Sequence, residues 1–288
     1  MNDLQKNILD VYKEFIKVCE KYNLRYYASS GSLLGTIRHK GFIPWDDDID
    51  ISMPIEDYNK LFFSDIVFDN PNIKVRVSRN TSYSTLMFNK IENANTTMIE
   101  KYELNHPSDY KGIYIDIFPL YGVESKEKAY EKLSLLEKIF RLNENLRCDF
   151  KECDGIKRKI IWIIQIPLRI ISKKNFWYDI WNKTVSDCYD FDSKYTVFFE
   201  FCKLPRNKVV FERKWFDGYV DMPFEDTYMR VPIGYDDLLK VDYGNYLELP
   251  PVDHRRNHSN GLVDINKPYS FYVNEYKKNG NISNYINY

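Results

Sequence analysis

The 288-residue chain carries 41 basic and 42 acidic side chains, a formal net charge of -1, with 44% hydrophobic and 16% aromatic residues. That length allows one large domain or two modest ones, and the apolar content is enough for a real core. The balanced charge excludes a nucleic-acid binder driven by general electrostatics, which needs a basic excess.

Residues 3–22 carry Leu4, Ile8, Leu9, Val11, Tyr12, Phe15 and Ile16 on one broad stripe, which predicts an amphipathic helix. The same stretch contains acids and no apolar h-region, so no secretory signal is expected. Arg25 to Ser29 reads as a short strand, and Gly31 turns it into a helical segment, SLLGTIRHK. After a loop with Pro44 and Trp45, the segment DIDIS alternates polar and apolar strictly, as a strand with one buried face does. IEDYNKLFFSDI is helical, and IKVRVS, TLMFNKIE and IYIDIF read as further strands. This order predicts a mixed α/β domain over residues 1–122. Residues 123–194 read as mostly helical. Residues 195–288, rich in Tyr, Phe, Asp and Pro, read as short strands and turns packed onto the first part. No internal repeat is visible, and no run of 18 uncharged apolar residues occurs, so no ordinary transmembrane helix is expected.

The five cysteines are Cys19, Cys148, Cys153, Cys188 and Cys202. An odd number without a CxxC pair suits a reducing cytoplasm better than a disulfide framework. Cys148 and Cys153 are close in sequence, but no histidine lies near them to complete a zinc site.

Asp46-Asp47-Asp48-Ile49-Asp50-Ile51 is the most informative stretch. Residues two apart on a strand share a face, so Asp48 and Asp50 point one way while Ile49 and Ile51 enter the core. Two carboxylates about 7 Å apart along a strand can bind hard cations together, at two-metal separations of about 3.5–4 Å. A calcium loop fails on detail: counted from Asp46, its glycine position holds Ile51 and its bidentate glutamate position holds Asp57. A solvated acidic turn is the bland alternative. Upstream, Gly31-Ser32 stands at a strand-to-helix turn, where backbone N–H groups and the helix dipole favour phosphate. Arg38 and Lys40 follow on the same helix and loop. Asp116, between Ile115 and Ile117, supplies a third carboxylate, either a metal ligand or a general base. Clustered carboxylates repel one another unless cations sit among them.

YYASSGSLLGTIRHKGFIPWDDDIDISMP closely resembles the signature of the LicD family, which includes the fukutin-type proteins and belongs to the nucleotidyltransferase superfamily. GIYIDIFPL resembles the family's second acidic motif, and YGNYLELPPVDHRRNHS its C-terminal motif. The middle, roughly 125–215, carries no matching motif. The resemblance implies a nucleotidyltransferase-fold core. It implies transfer of phosphocholine, or of a polyol phosphate, from a CDP-linked donor to a cell-surface glycan, with release of CMP. It places Mg²⁺ or Mn²⁺ on Asp48 and Asp50, with Asp116 as the third acid. Gly31 and Ser32 match the phosphate turn, and Lys90, Arg255 and His258 match positions of less defined role. Two other readings stay open. A nucleotide-sugar glycosyltransferase also uses DxD with a metal, although the early Gly-Ser turn argues against it. A non-catalytic binding relative is the second.

Between Ile156 and Phe176 the chain carries six basic residues, Lys157, Arg158, Lys159, Arg169, Lys173 and Lys174, and no acid. Its apolar centre is too short to span a bilayer, and Pro167 interrupts a straight helix. A buried core helix with solvated basic ends and an interfacial segment on a membrane both fit. The enzyme is expected to be cytoplasmic, touching the inner membrane face without spanning it.

Overall fold

A computed structural model describes residues 1–78, 86–147, 150, 154–171, 176–255 and 261–285. In chain order the elements are α1 (Asp3–Tyr22), β1 (Tyr27–Ala28), α2 (Ser30–His39), β2 (Asp50–Pro54), α3 (Ile55–Phe63), β3 (Ile73–Arg76), β4 (Asn89–Asn93), β5 (Thr97–Ile99), β6 (Ile113–Val123), α4 (Lys126–Arg147), α5 (Gly155–Ile164), α6 (Ile166–Ile171), α7 (Phe176–Val185), β7 (Tyr195–Val197), β8 (Val210–Glu212), β9 (Tyr219–Phe224), β10 (Thr227–Pro232), α8 (Tyr235–Tyr243), β11 (Leu262–Asp264) and α9 (Tyr269–Asn279). The fold is α/β with a mixed sheet.

The main sheet runs β1-β2-β6-β4-β3, with β7 paired to the far end of β6 and β8 paired to β7. β2 and β6 are parallel; β1 with β2, β6 with β4 and β4 with β3 are antiparallel. Almost every residue of β6 is buried, so both faces of the sheet centre are covered. α1 and α3 pack against β6. Helix α1 is started by a capping box, in which the Asn2 side chain accepts from Gln5 N–H and the Gln5 side chain accepts from Asn2 N–H. Its stripe then buries Ile8, Leu9, Val11, Tyr12, Phe15 and Ile16.

The structure departs from the sequence reading in the last third, where α8 and α9 join the short strands. Their cues are local and weak. α8 has Asp236 and Asp237 in its first turn and buries Leu238 and Leu239. α9 starts after Pro268 and stops at Gly280, whose φ is 72°. Of the Ile156–Phe176 segment, residues 156–171 and Phe176 are described. α5 ends at Ile164 and α6 starts at Ile166, the break falling just before Pro167, and no residue of α5 is buried. The core-helix reading therefore fails for the described residues. Cys148 and Cys153 lie outside the described residues. Cys19, Cys188 and Cys202 are buried free thiols.

A cavity of about 250 Å³ lies between β1, the 198–216 region and α8, with Phe198, Phe201, Phe211 and Phe216 among its walls. Asp242 borders it. Burial pushes this carboxyl up from its ordinary 3.8 to about 6, against the opposing pull of Lys208. A carboxyl raised in the fold holds its proton more tightly there than in the unfolded chain. Its charge therefore costs stability as the pH rises through that window, and the full cost stands above it. Asp242→Asn is expected to raise the melting temperature at pH 7.5 by about 2–4 °C, equivalent to about 1 kcal/mol after allowance for partial solvation. The difference should close by pH 4. A thermal melt series of both proteins across that range checks this.

Candidate functional site

The site is built on the two acid-bearing strands and the helix above them. In the parallel pair β2–β6, Asp50 lies opposite Asp116, and in the antiparallel pair β6–β4, Asp116 lies opposite Lys90. Asp50, Asp116 and Lys90 therefore form a row across three neighbouring strands. The backbone locks this register: Asp116 N–H donates to the Ile49 carbonyl at 2.9 Å. Asp48 lies two residues before Asp50, just ahead of the first residue of β2, and Ile49, Ile51, Ile115 and Ile117 are all fully buried.

Lys90 is buried and its ammonium makes an ion pair with Asp116 Oδ1, 3.7 Å from the centre of the Tyr114 ring. Among the described residues, no ion pair of this kind is formed by Asp48 or Asp50. Burial, first, and then the charge of Asp50 and Asp46 hold the Asp48 carboxyl far above the usual range. Burial, Asp116 and Asp46 do the same to Asp50, with Lys90 pulling the other way. A hard cation is the natural relief for such a pair, because oxygen donors suit it and its charge removes the repulsion. Among the described residues, no group of three or more His, Cys, Asp or Glu side chains is gathered closely enough to hold a metal ion. The donors that fit one are Asp48 and Asp50; Asp116 is turned to Lys90.

Helix α2 begins directly over this row. Ser29 N–H donates to the Asp50 carbonyl at 3.1 Å, and the Ser32 hydroxyl accepts from Asp50 N–H at 2.9 Å. Ser32 is thus buried and fastens the helix to the acidic strand, while Ser30 and Gly31 line the open side. At Gly31 a Cβ would stand 2.8 Å from Asp46 Oδ2, so a side chain there would displace that carboxylate. Gln5, buried on α1, holds the other side of the turn by donating to the Asp46 carbonyl at 2.8 Å.

The result is a cleft of about 560 Å³, with Asp46, Asp48 and Asp50 on one wall and Tyr243 to Pro251 on the other. Arg38 closes it from the side, where one guanidinium nitrogen donates to the carbonyls of Tyr246 at 3.0 Å and Glu248 at 3.1 Å. Arg255 lies at the margin, its guanidinium 5.2 Å from the Trp45 ring and its Nε donating to the Pro250 carbonyl at 3.0 Å. The exposed Lys40, the C-cap of α2, is not among the residues lining the cleft. His258 lies outside the described residues. Sequence reasoning missed Asp46, Trp45 and Tyr243. The two-residue period that selected Asp48 and Asp50 extends back to Asp46, so that residue was within reach. Trp45 and Tyr243 carry no such signal.

Residues 23–135 match the family described as LicD/FKTN/FKRP, nucleotidyltransferase domain. Over 263 residues, covering 88% of this chain and 92% of the relative, the protein is 26% identical to the lipopolysaccharide cholinephosphotransferase LicD of Haemophilus influenzae. It is 45% identical over 42 residues to the ribitol 5-phosphate transferase FKRP of Homo sapiens, a match covering 15% of this chain and 8% of the relative. An uncharacterized protein of Rickettsia typhi is 35% identical over 82 residues, 27% of this chain and 26% of the relative. Asp48, Asp50, Lys90 and Asp116 all fall inside the segment that matches the nucleotidyltransferase domain of that family.

Proposed function

We propose that the protein transfers a phosphate-linked group, phosphocholine or a polyol phosphate, from a CDP-activated donor to a hydroxyl of a glycan, releasing CMP. One observation carries this reading: Asp48 and Asp50 line a cleft at the N-terminus of a ten-residue helix, and Asp116 and Lys90 extend the row from Asp50 across the two neighbouring strands. Similarity to a cholinephosphotransferase over most of the chain supports the reaction class.

Asp48 and Asp50 are the residues that would hold Mg²⁺ or Mn²⁺, which when bound neutralises a donor diphosphate and its leaving group. The chain's own groups do the rest. The start of α2 offers backbone N–H groups to phosphate oxygens, and the missing side chain at Gly31 lets them approach. Asp116 accepts from the acceptor hydroxyl and orients it for in-line attack on the phosphorus bearing the transferred group. Its ion pair with Lys90 fixes it in place for that task. Arg38 and Arg255 hold the far wall of the cleft through backbone carbonyls and so define the width of the donor site. The location is proposed to be cytoplasmic, at the membrane face where lipid-carried glycans present their hydroxyls.

The reading is tested by incubating the protein with CDP-choline, CDP-ribitol or CDP-glycerol and Mg²⁺ while following CMP. Release from one donor supports it; release of UDP or GDP from nucleotide sugars instead makes the protein a glycosyltransferase. Asp48→Asn or Asp50→Asn keeps side-chain shape and removes ligand charge. Each is expected to lower turnover on the order of a hundredfold or more, with an unchanged circular-dichroism spectrum, since several kcal/mol of charge stabilisation is lost. Near-normal rates in both variants would remove the central claim. Asp116→Asn should lower turnover by about a hundredfold or more while donor affinity, read by calorimetry, changes far less. A loss of donor affinity as large as that of Asp48→Asn would make Asp116 a donor-side residue instead.

A further inference from the structure

Isolated exposed apolar side chains are ordinary on a protein surface, but a contiguous group of them is not. α5 and α6 carry such a group. Ile156 is 77% exposed, Ile164 and Ile170 are 70% exposed, and Ile160, Ile161, Ile163 and Leu168 are each about half exposed. At about 100° per residue, Ile156, Ile160, Ile163 and Ile164 fall on one stripe of α5, and Lys157 and Lys159 fall on its two flanks.

The stripe faces outward because the other side of the helix pair is fastened down. Trp162, half-buried, packs edge-on against Phe150 at 5.2 Å. The Arg169 guanidinium lies 4.6 Å from the Trp162 ring and donates to the carbonyls of Leu146 and, at 3.0 Å, of Asn145. The pair is thus pinned to the end of α4 with Ile156, Ile160, Ile163, Ile164 and Ile170 turned to solvent.

We propose that α5 and α6 form a lipid-docking surface that seats this protein on an anionic membrane leaflet without crossing it. This goes beyond the transferase reading and stands without it. Among the described residues, no helix is long and apolar enough to cross a membrane. An amphipathic helix lying in the interface needs what α5 has: an apolar stripe to enter the acyl boundary and basic side chains beside it to reach lipid phosphates. A second copy of the chain is the less suitable occupant. A two-fold interface places the same patch against itself, and residues 155–171 contain Lys157, Arg158, Lys159 and Arg169 but no acid to neutralise them.

The test is co-sedimentation of the full chain with phosphatidylcholine vesicles, with and without phosphatidylglycerol. The chain should pellet with the phosphatidylglycerol vesicles at low salt and be released as salt rises. Ile163→Glu with Ile164→Glu, both at solvent-exposed positions, should weaken binding by about tenfold or more, and Lys157→Glu with Lys159→Glu by a similar factor. Both variants should keep the wild-type melting temperature; should the isoleucine variant unfold, the lysine variant alone decides. Wild-type protein that stays in the supernatant at low salt overturns the proposal, as does pelleting unchanged in the lysine variant. A wild-type dimer in light scattering that the isoleucine variant disperses, with no vesicle binding, assigns the face to a second copy.

Discussion

The site depends on isoleucines. Asp48, Asp50 and Asp116 share a cleft side of the sheet only because Ile49, Ile51, Ile115 and Ile117, alternating with them, are fully buried behind it. Their burial fixes the register that keeps the acids together on one face. A slip of one residue in either strand would turn the acids inward and the isoleucines out, which makes the register itself the guard of the site.

The acids are also not equivalent, and the difference comes from strand order. β6 lies between β2 and β4, so Asp116 has an acid on one side and Lys90 on the other. Asp50, one strand over, and Asp48 have no lysine opposite them. One strand pairing thus sets a carboxylate that is ion-paired to a lysine apart from two that, among the described residues, are not. That division matches the two tasks of the proposed reaction: orienting an acceptor proton and neutralising a diphosphate.

Much of this could be read from residues alone, where the signal is local. The stripe of α1 and the acid alternation before and within β2 are periodic patterns, and their burial follows from the period. What could not be read is what depends on register between distant segments. FNKIE shows a lysine in a strand, but only the pairing of β4 with β6 sets Lys90 against Asp116. Gln5 reads as a polar residue at the start of an amphipathic helix; that it grips the Asp46 carbonyl requires a loop forty residues away. Ser32 reads as a phosphate-facing hydroxyl by position, and the structure shows it bonded to the Asp50 backbone instead. The Ile-rich segment shows the limit of periodicity: an apolar stripe looks alike whether it faces the core or lies outside it, and only its exposure in the fold separates the two.

The far wall of the cleft follows a different rule from the acidic one. Arg38 and Arg255 hold the 246–250 stretch by its carbonyls, at Tyr246, Glu248 and Pro250. Every residue type offers the same carbonyl, so these grips do not depend on which side chains the stretch carries. Leu247 and Leu249 are half exposed or more, and the Asn245 side chain stands beside the cleft. The position of this wall is therefore set by its backbone and not by the side chains it carries. The acidic wall has no such freedom, since there the side chains are the chemistry and the alternation with isoleucine holds them. In the proposed reaction the acidic wall would take the diphosphate, and the opposite wall, held by its backbone, would face the transferred group.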